Sequence, residues 1–280
     1  MNGIQQWLQF FQNVSCFYRQ MLMLPLWNKY PDHQNSIIDS LAIFLEGYVF
    51  ERQGRRPDYF HVAVDSLLYC NRQNRFNAYC IWNRFRQSLN NRNLNHRNNP
   101  LYPSDNPDNI PNINHKLSVI EVVLNFQNST TLSNHILDLI TQNNDISQPF
   151  CFLKTIRGVG NKIASFYLRD LVTVLNVNLA NLQNRWLLQP IDIWVERTTK
   201  TLANNQNMNK RQVANWIVTN CNQNNLNPEY VNMGIWFYCA LIANSEYRLN
   251  QSLSNINLAQ YLIQDYRSRI INVCQNCICI

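Results

Sequence analysis

Apolar residues recur at intervals of three and four along most of this chain, the period of amphipathic helices rather than of strands. Over 4–23, Ile4, Trp7, Leu8, Phe10, Phe11, Val14, Phe17, Tyr18 and Met21 form one stripe that ends near Leu24-Pro25. Asn35-Ser36 offers an N-cap to a second helix over 37–52, with Leu41, Phe44, Leu45 and Tyr48 inward and Gly54 closing it. A third helix starts at Pro57-Asp58 and runs through Val62, Val64, Leu67 and Leu68; a fourth spans 75–89 with Tyr79, Ile81, Trp82 and Phe85. The same spacing predicts helices over 116–127 and 131–143, a helical pair over 149–175, and helices at 209–222, 228–245 and 257–273. Helical spacing alone accounts for Trp7, Phe10, Phe11, Trp82 and Phe85, which read as core.

The expected fold class is therefore all-α. Residues 90–115 break the periodicity with Asn, Asp, Ser and Pro100, Pro103, Pro107 and Pro111, the composition of a linker or long loop. That places an N-terminal helical lobe in 1–110 and a second region in 111–280, whose tail at 274–280 carries Cys274, Cys277 and Cys279.

Composition narrows the function classes. At 280 residues, with 46% hydrophobic and 15% charged residues, the chain can bury a sizeable core. No apolar run approaches the roughly 18 residues of a membrane span and no charged-then-apolar leader opens the sequence, so a cytoplasmic location without membrane association is expected. The net charge of +7 favours a polyanionic partner. Arg52, Arg55, Arg56, Arg72, Arg75, Arg84 and Arg86 either line a groove for such a partner or make a solvated basic face. Cys16, Cys70, Cys80, Cys151, Cys221 and Cys239 sit mostly at apolar helix positions and read as reduced core thiols. His61 reads as a core or boundary residue, and His96 and His115 as surface residues. The excess of Asn reads as filler at solvent positions.

The most informative stretch is 150–198. Leu153 and Ile156 share a helical face, Gly158-Val159-Gly160 breaks it, and Ile163, Ala164, Tyr167, Leu168 and Leu171 restart the period. Two glycines in a tight turn permit positive φ and close approach of another backbone. A helix opening from such a turn points free N–H groups and the positive end of its dipole outward, which suits phosphate. This unit resembles a helix-hairpin-helix. With Pro190-Ile191-Asp192-Ile193-Trp194-Val195-Glu196-Arg197 downstream, the chain resembles the helix-hairpin-helix DNA glycosylase superfamily, closely over about 50 residues and loosely over 111–245.

The resemblance implies two helical lobes, a glycosylase core and a cleft between the lobes. It implies that Lys162, two residues past the second hairpin glycine, is the nucleophile of a bifunctional glycosylase and lyase, and that Asp192 is the second catalytic group. Arg157, Gly158, Val159, Gly160, Asn161 and Arg197 are the expected DNA contacts. The partner would be double-stranded DNA bearing a damaged base, bound by a monomer. Read by themselves, Lys162 is equally placed to contact a phosphate and Asp192 to cap a helix.

Two features depart from the common family pattern. Asp192 lies 30 positions after Lys162, a long interval closest to archaeal-type 8-oxoguanine glycosylases. The Cys-x6-Cys-x2-Cys-x5-Cys iron–sulfur pattern is absent, so no iron–sulfur cluster and no other cofactor is expected. The resemblance allows a monovalent ion at the hairpin carbonyls, and Cys274, Cys277 and Cys279 would bind zinc only with a distant fourth ligand such as Cys239 or Cys221. The segment Asn232-Met-Gly234-Ile-Trp236-Phe-Tyr238 is similar to a late helix of the 8-oxoguanine branch, which favours 8-oxoguanine as the excised base. The rival expectation is a non-catalytic helix-hairpin-helix DNA-binding module or a subunit of a repair or defence assembly.

Overall fold

A computed structural model describes residues 3–50, 58–94, 100–104, 116–126 and 130–277, with side chains to 270. It is all-α: among the described residues there are isolated bridges but no strand. In chain order the helices are α1 (Gly3–Tyr18), α2 (Leu24–Lys29), α3 (Ile37–Phe44), α4 (Asp58–Arg72), α5 (Ala78–Asn90), α6 (Val119–Leu124) and α7 (Leu132–Asn143). They continue with α8 (Ser147–Leu153), α9 (Asn161–Val174), α10 (Ile193–Leu202), α11 (Lys210–Gln223), α12 (Pro228–Phe237), α13 (Glu246–Ser254) and α14 (Ile256–Cys277). Wide π-turns join three of these runs, at Arg19–Met23, Leu45–Phe50 and Tyr238–Ala243. The first carries the chain past the expected stop at Leu24-Pro25. Pro25 falls in the first turn of α2, where a missing N–H costs little.

The chain divides into two compact units, 1–23 with 191–280, and 24–190, so the division lies elsewhere than the composition break at 110. In the first unit α1 packs along α12. The crossing is close because Gly234 has no side chain: a methyl there would fall on the Phe11 carbonyl oxygen, with the carbonyl carbon 2.6 Å away. Trp7, Phe10, Phe11 and Tyr238 fill the seam with edge and stacked contacts. In the second unit the fully buried Tyr167 of α9 is walled by Trp27, Phe44 and Tyr48. Trp27 Nε1 donates to Tyr48 Oη at 3.0 Å, Tyr48 Oη to Asp170 Oδ2 at 3.0 Å, and Arg169 Nε to Asp170 Oδ1 at 2.9 Å. These bonds meet a buried ion pair and tie together α2, α9 and the Leu45–Phe50 turn.

The expected core aromatics are buried, as are Leu41, Phe44, Leu45 and Tyr48. Five expectations need correction. Tyr79, in the first turn of α5, is 61% exposed, and Met21, within the π-turn Arg19–Met23, is 39% exposed. His61 and Cys151 are exposed rather than core. Nor are all the asparagines filler. Asn74, Asn93, Asn144, Asn176, Asn204, Asn225 and Asn244 adopt positive φ where a helix ends. In five of these ends the next N–H bonds back to the carbonyl five residues earlier: Arg75 to Cys70, Leu94 to Leu89, Val177 to Val172, Asn205 to Lys200 and Leu226 to Cys221. Asn thus takes the left-handed C-terminal position that Gly usually fills, in a chain with six glycines.

Candidate functional site

The hairpin opens as α8 ends. Arg157 N–H donates to the Leu117 carbonyl at 2.9 Å and Val159 N–H to the Ile156 carbonyl at 3.2 Å, which anchors the turn on the segment entering α6. Ile156 and Val159 are buried, so the turn is fastened from beneath by apolar side chains. Gly158 has φ 77°, left-handed backbone that a β-carbon disfavours. Gly160 is different. Its φ of −108° is open to any residue, and a β-carbon would meet nothing within 4 Å. It stands at the N-cap of α9 with no side chain capping the helix, and Asn161 and Lys162 beyond it are exposed. Lys162 Nζ lies 5.8 Å from the centroid of the Phe166 ring, one turn on.

Arg157, expected to reach phosphate, is turned inward with 3% exposure. Its guanidinium packs on the Tyr102 ring at 5.0 Å and donates to the Lys116 carbonyl at 3.2 Å. Lys116 Nζ donates to the Val159 carbonyl at 3.2 Å. Sequence reasoning missed Tyr102 and Lys116 because both lie over 40 residues before the turn and belong to no motif. Lys116 also bears on the monovalent ion: its ammonium already occupies one hairpin carbonyl, and a second cation beside it would be repelled. The residues present do not fit an ion at that carbonyl.

Asp192 is the N-cap of α10. Its Oδ1 accepts from Trp194 N–H and Val195 N–H, both at 3.0 Å, leaving Oδ2 outside that pair of bonds. Its charge contributes to raising the Cys239 thiol, after burial, which is the larger cause. Arg197, one turn further, forms an exposed ion pair with Glu246 at 2.8 Å, so an anionic partner would compete with that carboxylate. The structure therefore assembles the hairpin residues and Lys162 in one unit and Asp192 with Arg197 in the other.

Among the described residues no group of three or more His, Cys, Asp or Glu is placed to hold a metal ion. Cys279, and the side chains of Cys274 and Cys277, fall outside what is described, as do Arg52, Arg55, Arg56, His96 and His115. No helix is long and apolar enough to cross a membrane, again among the described residues. An open pocket of about 690 Å³ between the Gln34-Asn35 turn and α7 was not foreseen. On its wall the His135 ring stacks on Phe126 at 4.2 Å. Burial lowers the His135 pKa, against the opposing charge of Asp138.

No family model matches the chain, and no solved structure matches it. It is 26% identical over 219 residues to an uncharacterized protein, MJECL21, of Methanocaldococcus jannaschii, a match covering 70% of this chain and 49% of that protein. The chain thus spans about half the length of the curated relative it matches.

Proposed function

We propose that this chain is a DNA N-glycosylase with an associated abasic-site lyase activity, acting on an oxidised base, 8-oxoguanine before others. The observation that carries the reading is Gly160. Neither its φ nor its neighbours require a glycine there, and it leaves the turn bare beside uncapped helix N–H groups, two residues before an exposed lysine. Bareness of that kind suits a phosphodiester backbone laid against the turn.

In the proposed reaction the damaged nucleotide is flipped out of the stack, because its anomeric carbon is unreachable within a duplex. The Lys162 amine, having given its proton to solvent, attacks C1′ with its lone pair, the C1′–N bond breaks, and the base leaves with its electron pair and takes up a proton. A carboxylate, the part that the sequence resemblance gives Asp192, offsets the positive charge that develops on the sugar. Ring opening gives a Schiff base between Lys162 and C1′. Loss of a C2′ proton then expels the 3′ phosphate by β-elimination. The alternative, a hairpin that only binds DNA, is favoured by the same exposure of Lys162 on the first turn of α9, where an ammonium suits phosphate.

Borohydride trapping distinguishes the two. Reduction of the Schiff base should cross-link the protein to abasic or 8-oxoguanine duplex DNA. Lys162→Gln should abolish the cross-link while weakening DNA binding by no more than about tenfold, the loss of one charge-assisted contact. Absence of any cross-link from the native protein, with DNA binding intact, would leave the clamp and remove the enzyme.

A further inference from the structure

The helical hairpin formed by α4 and α5 brings together two thiols that the proposed chemistry does not use. Cys70 lies in the last turn of α4 and is fully buried; Cys80 lies in the first turn of α5 and is partly exposed. Their sulfurs are 2.9 Å apart, in hydrogen-bond contact. The turn between them holds both backbones in place. Arg75 N–H donates to the Cys70 carbonyl at 2.9 Å through the left-handed Asn74, and the Asn77 side chain accepts from Cys80 N–H at 2.8 Å. Neither helix end can shift without breaking a cap.

We infer that Cys70 and Cys80 are a dithiol–disulfide pair, oxidised in place by low-molecular-weight disulfides. Bonding needs the sulfurs to close by less than about 1 Å, towards the roughly 2.05 Å of an S–S bond. The order of events follows from exposure. Cys80 as thiolate attacks one sulfur of the reagent RSSR, forming a mixed disulfide and releasing RS⁻. Cys70 then gives its proton to solvent base, and its sulfur attacks Cys80 Sγ, expelling the second RS⁻. Two protein thiols are oxidised to one disulfide and RSSR is reduced to two RSH. Burial, then the neighbouring sulfur, push the Cys70 thiol well above its ordinary pKa, with Arg84 opposing, which makes Cys70 a poor first nucleophile. As the second nucleophile it gains from proximity.

The test uses the whole protein, titrated with oxidised glutathione, blocked with iodoacetamide and cut with trypsin without reductant. Arg72 and Arg75 lie between the cysteines, so a peptide ending at Arg72 and one ending at Arg84 stay joined only through the disulfide. The joined pair should form at about tenfold less oxidant than any other cross-link, including those of the exposed Cys151. Cys70→Ser should strand the glutathione adduct on Cys80, and Cys80→Ser should leave Cys70 unmodified, each variant keeping the native far-ultraviolet circular dichroism. Recovery of both cysteines as alkylated thiols at every oxidant level overturns the inference. Stable glutathione adducts on Cys80 in the native protein overturn it as well.

Discussion

The two hairpin glycines look alike in sequence and differ in what they do. Gly158 serves the fold: at φ 77° a β-carbon costs about 1–2 kcal/mol. Gly160 has no such constraint and open space beside it. Gly158→Ala should therefore lower stability by that amount in urea unfolding. Gly160→Ala should cost less, about 0.5 kcal/mol, the difference between Gly and Ala at an N-cap. On the proposed function, Gly160→Ala should nevertheless weaken DNA binding, because the added methyl meets only the ligand. Equal DNA affinity for Gly160→Ala and native protein would argue against a backbone laid on this turn. The asparagines give a second contrast at this scale. Their left-handed role is invisible to composition, which registers only that they are polar and abundant.

At the level of elements, the period of apolar residues located most helices and their buried faces, because an amphipathic stripe needs only local spacing. It missed α2 and α13, and it read the runs interrupted at Leu45–Phe50 and Tyr238–Ala243 as single helices. A π-turn shifts the face without changing which residues are apolar, so no pattern reports it. The close packing of α1 on α12 rests on Gly234. Gly234→Ala should destabilise the protein by about 3 kcal/mol or more, since backbone rather than a flexible side chain meets the methyl. Thermal unfolding reads this directly, and an unchanged Tm would mean that the helices separate freely. Gly47→Ala is a useful contrast, because there the methyl meets only the flexible end of Leu26.

For the whole molecule, pH reports the buried His33 and the half-buried His135. Burial holds His33 and His135 below the ordinary 6.5, against nearby Asp39, Asp32 and Asp138. The unfolded chain then takes up those protons before the folded one does. Their contribution to stability is complete above about pH 6.5 and is lost as pH falls below it, towards the folded values. Glu121 acts lower. Burial raises its carboxyl, but hydrogen bonds from Ser104 and Ser118 outweigh this and hold it below 4.5, so its contribution is present above 4.5 and lost beneath. Urea unfolding at pH 7.5 and 5.5 should show lower stability at the acid pH, and His33→Phe should reduce the difference. A flat profile in the native protein would contradict the burial of His33 and the partial burial of His135.

What the sequence determined by itself was local: helical periods, caps such as Ser36 and Asp192, and a glycine turn with a lysine two residues on. These depend on neighbours within one or two turns of helix, which the order of residues specifies directly. Tertiary structure decided the rest. It turned Arg157 inward onto Tyr102, placed Lys116 on the Val159 carbonyl, set Cys70 against Cys80, and put residues 1–23 in one unit with 191–280. Each of these joins parts of the chain separated by ten residues or many more, and such pairings are fixed by packing a common core, not by any pattern along the chain.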